Sequence, residues 1–74
     1  MPESLPTVRG ARVVRALERA GFEVARISSS HYIMKHPDGR VVSIPVHNRD
    51  LPKGTLRNIL KITGITTEDL RELL

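Results

Sequence analysis

Seventy-four residues with twelve Lys and Arg, eight Asp and Glu and no cysteine make a small basic chain near the lower limit for folding on one apolar core. The missing cysteines exclude disulfides and thiolate metal sites and fit a reducing cytosol. Eleven basic and five acidic side chains precede Ile65, then one basic and three acidic; such a basic body either meets a polyanion or is simply well solvated.

The stretch MPESLPTVRG places no apolar run behind a basic one, so neither a signal peptide nor a membrane span is expected and the location is cytoplasmic. Pro2 and Pro6 mark residues 1–7 as a flexible leader to one domain. From Gly10 to Ala20, Val13, Leu17 and Ala20 share a helical face while Arg12, Arg15 and Arg19 share nearly the opposite one. Gly21 supplies the stop.

FEVARI (22–27), HYIMKH (31–36) and RVVSIPV (40–46) read as strands. The second and third are joined by Pro37, Asp38 and Gly39, which preset, tolerate and close a tight turn. Pro45 cannot donate to a ladder, so the third strand ends there or lies at an edge. A second helix spans 51–64, with Pro52 in its first turn, Gly64 at its exit, and Leu56, Ile59, Leu60 and Thr63 as its packing face. Thr66 and Asp69 stand at capping-box spacing and open a short third helix. The predicted class is α+β: two layers in the order α-β-β-β-α plus a short C-terminal helix. A three-stranded antiparallel sheet carries the helices, in the element order of double-stranded-RNA-binding domains.

His31, His36 and His47 are the only imidazoles. Their spacing matches no common zinc pattern, so neither a metal nor a cofactor is expected. Positions 31 and 36 differ by an odd number and fall on opposite sheet faces, which also excludes them as an acid–base pair. The serines before His31 sit in no strained elbow and suit a turn better than a hydrolase dyad. A lone histidine is left, either a surface residue opening a strand or a proton carrier at cellular pH. One such group could drive attack of an RNA 2′-hydroxyl on its own 3′-phosphate, because the substrate brings the nucleophile. With Tyr32 and Met34 facing the helices, Lys35 shares the open face with His31 about 13 Å away. Lys53, Arg57 and Lys61 repeat every four residues, either as phosphate contacts or as a solvated helix face.

In order along the chain, GFEVAR, SH, KHPDGR, IPVH and LPKGTLRNILKITGI resemble the HicA toxin family, also called YcfA-like, from about Val8 to Ile65. The resemblance implies a metal-independent messenger-RNA interferase of double-stranded-RNA-binding-like fold, neutralised by a HicB-type antitoxin. It implies a single catalytic histidine, the general acid or base, in a Gly-Ser-His motif, matched here by Ser30 and His31, with Ser29 where the family has glycine. Ser30, Lys35, Lys53, Arg57 and Lys61 are then the candidate RNA contacts. Two other readings stay open, a non-catalytic RNA-binding module and a degenerate toxin acting mainly as antitoxin partner.

Overall fold

The computed structural model describes residues 4–74. Its elements are α1 (Gly10–Arg19), β1 (Glu23–Ser28), β2 (His31–Lys35), β3 (Val41–Pro45), α2 (Lys53–Thr63) and α3 (Thr67–Leu73). The strands form one antiparallel sheet in the order β1-β2-β3. The architecture is α+β, as the spacing of apolar residues and turn formers predicts.

Periodicity explains the layers. Val13, Val14, Ala16 and Leu17 of α1 are buried, as are Leu56, Ile59, Leu60 and Thr63 of α2. They meet Met34, Val42 and Ile44, the buried residues of the sheet, in one apolar cluster completed by Val8, Phe22, Leu51 and Leu70. Each Val, Leu, Ile, Met or Phe side chain withdrawn from water contributes about 1.5–3 kcal/mol before entropy is charged against it. Side chains alternate along a strand, so His31, Ile33 and Lys35 point away from this cluster onto the uncovered face.

β1 departs from simple alternation. Its pairing with β2 runs Val24↔Met34 and then Arg26↔Ile33, with Ala25 as the extra residue. Without that bulge Arg26 would share the core-facing side with Val24; the inserted residue resets the parity and turns it outward.

The two ends of the sheet are held differently. At the β2–β3 hairpin, His36 N–H donates to the Arg40 carbonyl (2.9 Å) and Gly39 N–H to that of His36 (2.9 Å). The Arg40 guanidinium grips both oxygens of Asp38, lies over the Phe22 ring, and donates to the Thr63 carbonyl at the end of α2. At the opposite end, Ser28 pairs with His31, leaving Ser29 and Ser30 as a two-residue turn. Ser29 takes φ 57°, the one positive value outside glycine among the described residues.

Of the expected leader, Met1, Pro2 and Glu3 lie outside the described residues. Ser4 to Thr7 touches the body: Lys53 Nζ donates to the Leu5 carbonyl (3.0 Å) and Thr7 Oγ1 (3.1 Å), and Arg71 donates to the Ser4 carbonyl. The third helix starts as its spacing predicts, with Thr66 Oγ1 accepting from the Asp69 amide at 3.1 Å.

Candidate functional site

His31 opens β2 on the uncovered face, between Ser28 and Pro45 in the register, and its side chain is exposed. The strand pairing fixes its backbone, and the Ser29–Ser30 turn fixes where the strand begins. Immediately beyond β3, Val46 N–H donates to the Ser30 carbonyl at 2.7 Å. That bond ties the exit of β3 to the residue preceding His31, and it brings His47 over. The two rings stand edge to face, centroids 6.3 Å apart.

A cavity of about 190 Å³ opens beside His47, lined by Pro45, Arg49, Asp50, Leu51, Pro52 and Thr55. The exit of β3 and the start of α2, which begins just past Pro52, form its walls. α1 lies behind them, with Gly10 pressed against the Pro45 carbonyl and Val46 and Arg9 hydrogen-bonded to Asn48 (2.9 Å). Neither α1 nor α2 has a side-chain cap or an acidic residue in its first turn, whereas α3 has both. Uncapped first-turn amides at the positive end of a helix favour an anion.

Of the residues picked out from sequence, Ser30 and His31 are adjacent at this end of the sheet. Lys35 shares the open face but sits at the other end of β2, opposite Glu23 in the register. The α2 stripe is not brought to His31. Arg57 and Lys61 line a separate groove of about 840 Å³ with Leu5, Gly64, Glu68 and Asp69, and the Lys53 ammonium is occupied by Leu5 and Thr7. The residues that the structure adds are His47 and Arg49.

His36 belongs to the hairpin. Its ring packs edge-on against buried Phe22, centroids 4.9 Å apart, and a side chain on Gly21 would meet its Nε2 at 3.0 Å. Nδ1 lies 3.2 Å from the Asp38 amide and 3.0 Å from Asp38 Oδ1. Nδ1 accepts from the first when it carries no hydrogen and donates to the second when it carries one, so only one of these bonds exists at a time. Hydrogen bonding from the Arg40 side chain holds the Asp38 carboxyl at about 2, well below its ordinary 3.8. Among the described residues no three metal-ligating side chains gather, and no helix is long and apolar enough to cross a membrane.

A family model described as the HicA toxin of bacterial toxin–antitoxin systems matches residues 10–65, well over half of the chain. The chain belongs to the HicA toxin family. The match runs from the start of α1 to Ile65, two residues past α2, and includes His31, His47 and the whole sheet. Membership carries the role of toxin in a toxin–antitoxin pair. A comparison with curated proteins finds none that matches.

Proposed function

We propose that this HicA-family toxin is an endoribonuclease that cleaves messenger RNA, with His31 moving the proton as general acid or base. The 2′-hydroxyl of the substrate attacks the adjacent phosphorus, so the protein need supply proton transfer, alignment and positive charge, and no metal ion is required. One observation carries the reading. His31 is exposed at the start of a paired strand, its ring 6.3 Å from that of His47 at the cavity, where a ribose–phosphate chain can reach it.

Charge near the phosphate comes from Arg49 and the uncapped helix starts, which suit the extra negative charge of a pentavalent phosphorus. Ser30 orients the turn, while Lys35, Arg57 and Lys61 hold flanking stretches of RNA backbone. Lys53 has a lesser part, because its ammonium already has two partners. A HicB-type antitoxin is the proposed protein partner and acts by blocking access to His31.

Incubating pure protein with RNA and a chelator tests the scheme. The expected products carry 2′,3′-cyclic phosphate and 5′-hydroxyl ends, and His31→Ala yields none of them while keeping its circular-dichroism spectrum. Strict magnesium dependence, or full cleavage by His31→Ala, overturns it. RNA retained without cleavage, and indifferent to His31, identifies a binding module instead.

A further inference from the structure

We propose that His47 is the second proton-transfer group of the cleavage, forming with His31 an acid–base pair whose rings stand 6.3 Å apart. The inference rests on the endoribonuclease reading above and goes beyond its single histidine.

The chemistry needs two proton movements. As the O2′–P bond forms, the O2′ proton passes to one imidazole. As the P–O5′ bond breaks, the other ring, protonated, delivers its proton to O5′. The products are a 2′,3′-cyclic phosphate and a 5′-hydroxyl, and the rings have exchanged protonation states, which solvent resets. In an in-line displacement O2′ and O5′ lie on opposite sides of phosphorus, so one ring cannot touch both in the same step. A proton carrier acts within about 3 Å of its target. Two rings at this separation can therefore flank one phosphate between their edges.

The placement is built into the fold. His31 is held by its pairing with Ser28 and Pro45. His47 is one residue past Val46, whose amide is bonded to the Ser30 carbonyl. Both rings are exposed, and the remaining charged groups at the cavity are Arg49 and Asp50, with Arg9 alongside at Asn48. His36 takes no part, because it packs on Phe22 at the hairpin.

The test uses the full chain on an RNA whose cut site has been mapped, alongside the same RNA with sulfur replacing the bridging O5′ at that site. A thiolate leaves without being protonated, so this linkage has no need of the acid. His47→Ala and His47→Gln are each expected to lose about 100-fold or more on natural RNA, with unchanged circular dichroism. One of the two histidine positions, and only one, recovers on the sulfur linkage, which identifies it as the acid. Near-normal cleavage by both His47 variants, with His31→Ala inactive, overturns the pair and leaves the single-histidine scheme standing. Recovery at neither position, or at both, also overturns the pair. Failure of the wild-type chain to cut either RNA removes the endoribonuclease reading itself.

Discussion

Gly10 and Pro45 meet with no room for a side chain: a Cβ on Gly10 would stand 2.0 Å from the Pro45 carbonyl oxygen. The obstructing atom is backbone, in a strand paired on its other side, and cannot swing away. Close approach here places the start of α1 beside the exit of β3, where the loop to His47 begins. Gly10→Ala must push the helix and strand apart, although alanine favours helix more than glycine does. The expected loss is about 2–3 kcal/mol, read from the urea midpoint, with a fall in RNA cleavage as His47 shifts. A variant as stable as wild type would show that the contact is loose.

How far this arrangement could be read beforehand depends on the distance over which each residue acts. The α2 face of Leu56, Ile59, Leu60 and Thr63, the Pro37–Gly39 turn and the Thr66 cap are local patterns, and all three are present. His31 stands out because a turn and a strand start define its place. His47 and Arg49 lie in an irregular connection without a period, so only the pairing of β2 with β3 and the Val46–Ser30 bond reveal them. The occupation of Lys53 is likewise hidden, because its partners Leu5 and Thr7 are more than forty residues away.

Ser29 is the turn residue whose backbone conformation conflicts with its side chain. Its φ of 57° is left-handed, which costs a residue with a Cβ about 1 kcal/mol or more relative to glycine. Ser29→Gly relieves that strain without removing any hydrogen bond of its side chain among the described residues. The melting temperature is expected to rise by about 4–8 °C, with His31 held in the same place and cleavage retained. A calorimetric scan checks this, and a lower melting temperature would mean that the extra freedom of glycine in the unfolded chain outweighs the strain.

Asp38 makes the hairpin sensitive to acid. The Arg40 side chain holds its carboxyl at about 2 against an ordinary 3.8, so the folded chain keeps this group ionised where the unfolded chain protonates it. Its stabilisation is therefore fully present above about pH 4 and is lost as pH falls from 3.8 towards 2. Thermal melts of wild type and Asp38→Asn at several pH values read this directly. The wild type should be the more stable at pH 7, with the gap narrowing below pH 4. A gap that stays constant down to pH 2.5 would place the effect of Asp38 in the shape of the turn rather than in its charge.

Lys53 and Lys61 are two turns apart on the same stripe of α2, yet their surroundings differ. Lys53 donates to the Leu5 carbonyl and Thr7 Oγ1, whereas Lys61 lines the open groove with Arg57. Losing Lys53 should thus register as stability, about 1 kcal/mol from charge-assisted bonds at an exposed site. Losing Lys61 should register as RNA affinity, because a free ammonium near a phosphate releases counterions when it binds. Titrating 2′-O-methyl RNA, which cannot be cleaved by its own 2′-oxygen, at several salt concentrations separates the two. Lys61→Gln is expected to reduce the slope of log affinity against log salt by about one, with an unchanged melt. Lys53→Gln is expected to leave the slope almost intact and lower the melting temperature. Equal drops in slope would mean that the amino-terminal segment yields Lys53 to the phosphate chain, and that the two lysines act together on RNA.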